Sequence, residues 1–265
     1  MTIHGGGPLF EKKIEYYQFD GVSIAYSKIP WDSEYLNNNT YEIINIKGNE
    51  NNFDNAFCEF KNFLCLKERD LLFVKIISLD NANIITYSKL GFYFVEQTID
   101  PISNLNKFNC SPVAKYIREL DKITEQDLEQ VYEIASNTFT NDRYHIDKNI
   151  DHTSASLRFK KWVENSYKLN EDIYLLKFQE KILGFIILAQ NGKEVDMKLG
   201  GISQEYIGLG LGLTVFVSTL VMLKNLGVRK VRTRISLNNT SILNLYSFLG
   251  FRFQNPMIVM HYVIT

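Results

Sequence analysis

One arrangement of residues occurs twice in the chain and constrains its fold more than any count of residue types. "VKIISLDNANIITYSKLGFYF" (Val74 to Phe94) parallels "VRTRISLNNTSILNLYSFLGFRF" (Val231 to Phe253). In both, a β-rich run leads to an Asp or Asn, then to a helical stretch carrying a Tyr, then to Leu-Gly-Phe and another β-rich run. Asp80, Tyr87 and Gly91-Phe92 align with Asn239, Tyr246 and Gly250-Phe251 without a gap. A duplication of this kind predicts two related halves.

The first half, from about residue 14 to residue 100, alternates short apolar runs with polar turns. Tyr41 to Gly48 and Asp70 to Leu79 read as strands. Between them Phe53, Ala56, Phe57, Phe60, Phe63 and Leu64 recur at helical spacing. The Asn-, Ser- and Pro-containing stretch Asp100 to Pro112 breaks all periodicity and reads as a linker. The expected division is a domain over residues 1–105 and a second over 106–265.

In the second half, Val113 to Leu120 looks like a strand. A helix follows, with Thr124 as N-cap and Asp127 completing a capping box, and with Leu128, Val131, Ala135 and Thr138 on one face. Ser154 to Tyr167 reads as another helix, with Leu157, Trp162 and Val163 inward. Strand signals at Ile173 to Phe178 and Ile182 to Gln190 lead through an Asn191-Gly192 hairpin turn into Glu194 to Ile202. "YIGLGLG" (Tyr206 to Gly212) then opens an apolar helix that ends near Leu226, with Gly227 as its C-cap glycine. Val228 to Leu237 reads as a strand, Thr240 to Leu249 as a short helix closed by Gly250, and the remainder as a final strand pair. The expected class is α+β: a mixed, mostly antiparallel sheet flanked by helices, with a smaller α/β domain before it.

Composition narrows the chemistry. Twenty-nine basic residues against 30 acidic ones give a net charge of −1, which argues against nucleic acid as a partner. The longest apolar run, Leu211 to Leu223, is too short to insert across a bilayer and ends at Lys224. The opening "MTIHGGGPLFEKK" lacks the basic-then-apolar order of a secretory signal. Cys58, Cys65 and Cys110 are odd in number and without CxxC spacing, so buried thiols in a reducing cytoplasm are expected rather than disulfides or a metal site.

The glycines of Tyr206 to Gly212 admit several readings. A Walker loop requires Gly-Lys-Ser/Thr, and Gly212 precedes Leu213-Thr214. A dinucleotide fingerprint requires G-x-G-x-x-G in a parallel βαβ unit, and the spacing here is G-x-G-x-G. Two readings remain open on the glycines alone: a closely packed strand-to-helix turn, or a pyrophosphate held by main-chain N–H groups at a helix N-terminus.

The run from the strand at Glu194 through this loop to "N..SILNLYSFLGF" resembles the GCN5-related N-acetyltransferase (GNAT) superfamily, over residues about 113 to 265. The usual loop of that family reads (Gln/Arg)-x-x-Gly-x-(Gly/Ala). Gly210 and Gly212 supply its glycines, while Ile207 stands in the Arg/Gln position. The resemblance implies acetyl-CoA as co-substrate, held by Gly208, Leu209, Gly210, Leu211, Gly212 and Leu213. It places a main-chain N–H near Gly201 and Ile202 on the thioester carbonyl, and Asn239 on CoA or as the cap of its own helix. Gly200-Gly201 permits a bulge there. Tyr246 takes the position of the tyrosine that donates a proton to the leaving sulfur. If the halves are related, the first lacks the glycine loop and is a degenerate GNAT-like domain.

A narrower resemblance rests on "NTFTNDRYHIDKNI" with "SASLRFKKWVENSY" (Asn137 to Tyr167) and on "WDSEYL" (Trp31 to Leu36). These are similar to segments of two-domain TDP-fucosamine N-acetyltransferases, with Asp142 in place of a serine and Leu36 in place of an aromatic residue. That resemblance implies a nucleotide-linked, dTDP-type 3- or 4-amino-deoxysugar as acceptor, in surface-polysaccharide or lipopolysaccharide sugar biosynthesis. It also implies direct attack by the sugar amine and a homodimer. Asp142, Arg143, Tyr144 and His145 are the expected substrate contacts, by charge-assisted pairing and stacking. For the general base, His145, Asp142, Glu205 or a water chain stay open. The competing readings are an acetyltransferase for protein N-termini, polyamines or other small amines, and a non-catalytic acyl-CoA-binding module.

Overall fold

The computed structural model describes residues 13–265; most of the opening stretch that was read for a secretory signal lies outside them. The first elements are β1 (Glu15–Phe19), β2 (Val22–Lys28), α1 (Pro30–Leu36), β3 (Thr40–Gly48), α2 (Phe53–Phe63), β4 (Leu71–Ile77), α3 (Asn81–Lys89) and β5 (Tyr93–Asn104). Then come β6 (Asp121–Lys122), α4 (Leu128–Thr138), α5 (Arg143–Ile146), α6 (His152–Lys168), β7 (Asp172–Phe178), β8 (Lys181–Asn191) and β9 (Glu194–Ile202). The chain ends with α7 (Leu211–Asn225), β10 (Lys230–Arg232), β11 (Ile235–Ser236), α8 (Thr240–Phe248) and β12 (Arg252–Val263).

These elements form two compact units. The N-terminal unit holds residues 13–98 together with 142–155 and 255–265; the C-terminal unit holds 99–141 and 156–254.

In the N-terminal unit the strand order is β1-β2-β3-β4-β12. β3 and β4 run parallel, while β12 runs antiparallel to β4, with His261 opposite Phe73 and Met260 opposite Val74. Strand alternation sends Tyr41, Ile43, Leu72, Val74 and Met260 to one face, where they pack with Phe53, Ala56, Phe57 and Phe60 of α2. The opposite face buries polar groups beside an apolar cluster of Leu71, Tyr144, Ile150 and Ala155. Asp147 Oδ2 accepts from the Tyr93 hydroxyl at 2.8 Å and lies 2.8 Å from His261 Nδ1. Asp32 accepts from the Tyr144 hydroxyl, and the Arg143 guanidinium lies 3.9 Å from the centre of the Phe73 ring. Buried charges of this kind are tolerated because each meets a partner.

In the C-terminal unit the order is β5-β10-β9-β8-β7-β6. α7 covers one face, packing Val215, Phe216 and Leu220 on Ile186, Val195 and Met197. α4 and α6 cover the other, where Val131, Ala135, Phe159 and Trp162 meet Ile173, Phe185 and Leu199.

The repeated sequence repeats in three dimensions. Asp80 accepts from the Asn83 N–H at 3.2 Å and Asn239 from the Ile242 N–H at 3.1 Å, each capping its helix. Gly91 and Gly250 both take the left-handed conformation, at φ +92° and +74°. The next N–H returns to the tyrosine carbonyl at 3.0 Å in both copies, Phe92 to Tyr87 and Phe251 to Tyr246.

Several local expectations change. Val113 to Leu120 is no strand: a 3-10 turn runs from Ser111 to Tyr116, because Pro112 removes a donor and Val113, Tyr116, Ile117 and Leu120 recur at helical spacing, all facing the α7 core. Asp100 to Pro112 is not irregular throughout, since β5 continues to Asn104 and Leu105 is fully buried. Val228 to Leu237 breaks into β10 and β11, and the final segment is one long strand, in which Asn255 adopts φ +52° ahead of Pro256. Leu157 and Phe63, expected inward, are exposed, as are Cys58 and Cys65.

Candidate functional site

β9 and β10 pair in parallel only over Glu194–Asp196 and Lys230–Arg232. Beyond that point β9 continues along β8 to Ile202, whereas β11 pairs with β5, so the two neighbours part. β9 also bulges: Leu188 faces Met197 and Ile187 faces Leu199, leaving Lys198 as the extra residue. The bulge therefore lies before Gly200-Gly201, where it was expected. Its extra residue, Lys198, pairs through its ammonium with the Glu171 carboxylate. The two glycines permit close packing instead. A Cβ on Gly201 would stand 3.0 Å from the Phe185 ring and 3.3 Å from that of Phe139, and one on Gly200 would meet Phe216 at 3.5 Å.

A 3-10 turn at Gln204–Tyr206 and exposed Ile207 lead into the glycine loop. Gly208 and Gly210 have φ +87° and +79°, and Gly210 is the N-cap of α7. A side chain at either would meet nothing within 4 Å, so backbone conformation, not crowding, requires glycine there. No side chain caps α7, and its first turn carries no acidic residue. The earliest N–H drawn back into the turn is that of Thr214, which reaches Gly210 O at 3.3 Å. The N–H groups of Leu211, Gly212 and Leu213 thus belong to the first turn, which has no intrahelical acceptor. Gly212 is helical, and its Cβ would make ordinary contacts with Leu245 at 3.8 Å and Ile202 at 3.9 Å.

Tyr246 lies next to these elements. Its ring is edge-on to Phe216 at 5.3 Å and 4.7 Å from Phe251. Burial raises its hydroxyl pKa well above the ordinary tyrosine value, against a smaller opposing effect from its hydrogen bond with Thr233. The structure therefore brings Gly200, Gly201, Ile202, Gly212 and Tyr246 together through Phe216 and Leu245, with Gly208 to Leu211 leading in. Asn239 caps α8, as its chemistry suggested. The open start of α7 fits a pyrophosphate: a cradle of main-chain donors, at the positive end of the helix dipole, with glycines that leave room beside it.

The segment Asp142 to His145 belongs to the N-terminal unit. Asp142 caps α5 by accepting from the Tyr144 N–H at 2.9 Å, and its carboxylate also meets the His145 ring. Arg143 and Tyr144 point inward to Asp32 rather than to solvent. Glu205 is exposed and sits 4.0 Å from Lys181. The sequence reading missed the Glu171–Lys198 pair and the Asp147–His261 pair; the signal available for the latter was a histidine inside the apolar run "MIVMHYV". Among the described residues no three His, Cys, Asp or Glu side chains group as a metal site, and no helix is long and apolar enough to cross a membrane.

No family model matches the chain. By sequence it is 20% identical over 250 residues to the spore coat polysaccharide biosynthesis protein SpsD of Bacillus subtilis, covering 93% of this chain and 85% of that protein. A GCN5-related N-acetyltransferase of Sphaerobacter thermophilus superposes with a TM-score of 0.64 at 10% identity, over 91% of this chain and 76% of its own. A conserved Staphylococcus epidermidis protein of unknown function does so with 0.65 at 14%, over 96% of each chain. The fold is GNAT-like: a mixed sheet flanked by helices, in the α+β class.

Proposed function

We propose that this protein transfers the acetyl group of acetyl-CoA to the amine of a nucleotide-linked amino-deoxysugar, of the dTDP-linked 3- or 4-amino kind, for a surface polysaccharide. The observation that carries the reading is the uncapped N-terminus of α7, opened by left-handed Gly208 and Gly210 beside the point where β9 and β10 part. The GNAT-like fold supports an acyl-CoA co-substrate, and the similarity to SpsD, a spore coat polysaccharide biosynthesis protein, supports a sugar acceptor.

Acetyl-CoA supplies the acetyl group as a thioester. In this reading the main-chain N–H groups from Gly208 to Leu213 hold the pyrophosphate, with Ile207 adding no side-chain contact. Main-chain N–H groups at Gly201 and Ile202 orient and polarise the thioester carbonyl. The Tyr246 hydroxyl, protonated at neutral pH like any tyrosine and held so more firmly by its burial, donates to the departing sulfur. Asn239 supports this by fixing the start of α8, the helix that carries Tyr246. Asp142 and His145 are the positions of the α5 segment proposed to recognise the nucleotide, while Arg143 and Tyr144 hold that segment through Asp32. The N-terminal unit, without a glycine loop before its repeat, acts as a degenerate copy; a homodimer is part of the proposal.

The test is incubation with acetyl-CoA and a panel of dTDP- and UDP-linked amino sugars, polyamines and N-terminal peptides, following thiol release and acetylated product. Acetylation of a nucleotide sugar supports the reading. Transfer confined to peptides or polyamines refutes the sugar acceptor, and acetyl-CoA binding without any transfer refutes catalysis.

A further inference from the structure

Three side chains of one stretch in the C-terminal unit carry polar atoms that find no hydrogen-bond partner in the protein although they are buried: Trp162 Nε1, Ser166 Oγ and Glu171 Oε2. Trp162 and Ser166 are four residues apart on α6 and so share one face. The Glu171 N–H donates to the Ser166 carbonyl at 2.9 Å, which places the carboxylate at the end of the same helix. The other carboxylate oxygen of Glu171 meets Lys198, and both side chains are more than nine-tenths buried, at 9% and 6% exposure. Buried polar groups are nearly always satisfied, so three exceptions in one stretch call for a ligand, a water or a catalytic task.

We propose that Glu171 takes the proton from the acceptor amine, in a polar subsite it forms with Ser166 and Trp162. The proposal rests on the acetyl-transfer reading above. Lys198 is the bulge residue of β9, and two residues further on Gly200 abuts Phe216, whose ring is edge-on to Tyr246. Trp162 packs on the α4/α6 face of the sheet and Phe216 with Tyr246 on the α7 face, so Glu171 would reach the strand that holds the thioester from the side opposite Tyr246. The bases considered from sequence are less suited: Asp142 and His145 engage each other, and Glu205 faces solvent.

The three unpartnered atoms also specify the acceptor. A carboxylate oxygen accepts from an ammonium, an indole N–H donates to a hydroxyl oxygen, and a serine hydroxyl does either. The complementary ligand is a primary amine with a hydroxyl on a neighbouring carbon, as an amino-deoxysugar presents. The Glu171 carboxylate takes one of the three ammonium protons, and the nitrogen lone pair attacks the thioester carbon. The C–N bond forms and the C–S bond breaks. Sulfur takes the Tyr246 proton, a second proton lost from nitrogen restores that hydroxyl, and the third stays on the amide. Glu171 then releases its proton to solvent. Lys198 is a positioning residue that holds the other carboxylate oxygen.

The experiment compares the parent with Glu171→Gln. The expected result is a kcat about 10²- to 10⁴-fold lower with an acetyl-CoA Kd unchanged by calorimetry. Glu171→Gln leaves the Lys198 ammonium without its charge partner, so Glu171→Gln/Lys198→Met, which removes both charges, is measured alongside it. The same loss in either folded variant supports the proposal, and a parent-like kcat in either overturns it. Trp162→Phe should raise KM for an amino sugar more than for an amine lacking the neighbouring hydroxyl; equal effects overturn the acceptor assignment. If the parent itself transfers acetyl to no amine, the acetyl-transfer reading fails and Glu171 with it. A working parent with unimpaired Glu171 variants removes Glu171 alone.

Discussion

Replacing Gly210 and Gly212 separately by alanine should move stability and co-substrate affinity in different combinations. At Gly210 the backbone sits at φ +79°, ψ 3°. An alanine there bears the left-handed strain of roughly 1–2 kcal/mol. It meets no heavy atom within 4 Å, so no packing clash adds to that cost. For a chain of this size the loss corresponds to a fall in Tm of roughly 2–8 °C. At Gly212 the backbone is helical and the new methyl makes only ordinary contacts, at 3.8 and 3.9 Å. Alanine should therefore stabilise α7 by about 0.5–1 kcal/mol and raise Tm. Yet each methyl enters the space beside the first-turn N–H groups. Both variants should bind acetyl-CoA at least about tenfold more weakly, or about 1.4 kcal/mol. Calorimetric melting gives the first quantity, and titration with acetyl-CoA and with CoA gives the second. A Gly212→Ala protein that melts higher and binds more weakly fits a phosphate cradle. Unchanged affinity in both variants would reduce the loop to a strand-to-helix turn and refute the reasoning.

Tyr246→Phe should lower kcat by about 10²-fold or more while leaving acetyl-CoA affinity intact; unimpaired turnover removes Tyr246 as the acid. Gly184→Ala should destabilise the C-terminal unit by about 1–3 kcal/mol, measured by urea unfolding, because its Cβ would stand 2.9 Å from the Gly201 carbonyl oxygen. In the N-terminal unit, burial pushes the His261 pKa down from 6.5 to about 4, only partly countered by Asp147. Between those values the unfolded chain binds more protons, so stability should fall by roughly 3 kcal/mol as pH drops from 6.5 to 4. His261→Gln should flatten that part of the urea midpoint profile, and an unchanged slope contradicts the assignment. Asp80→Ala and Asn239→Ala should each cost about 1 kcal/mol in thermal unfolding, as matched N-caps do.

What was legible in the sequence is what local chemistry determines. Asp80 and Asn239 cap helices, Gly91 and Gly250 end them, and Gly210 opens α7, because each role depends on a few neighbouring residues. Thr124 and Asp127 form their capping box for the same reason, with the Thr124 N–H donating to Asp127 at 2.8 Å. The rest depends on partners distant in the chain. Arg143 and Tyr144 sit in a polar stretch and read as substrate contacts, but their partner Asp32 is 111 and 112 residues away. The break between β10 and β11 falls where β9 is lost as a neighbour, since β10 pairs with both β5 and β9 and β11 with β5, and no alternation within Val228 to Leu237 announces it. The bulge falls at Lys198, whose partner Glu171 lies 27 residues earlier, and not at the adjacent glycines.

The most direct measurement of the central claim is the stoichiometry of thiol release from acetyl-CoA with a dTDP-linked amino sugar as acceptor. The account predicts one free CoA thiol for each N-acetylated nucleotide sugar, with release slowed about 10²-fold or more by Tyr246→Phe. Failure of the protein to bind acetyl-CoA, or binding with no thiol released for any amine offered, would contradict it.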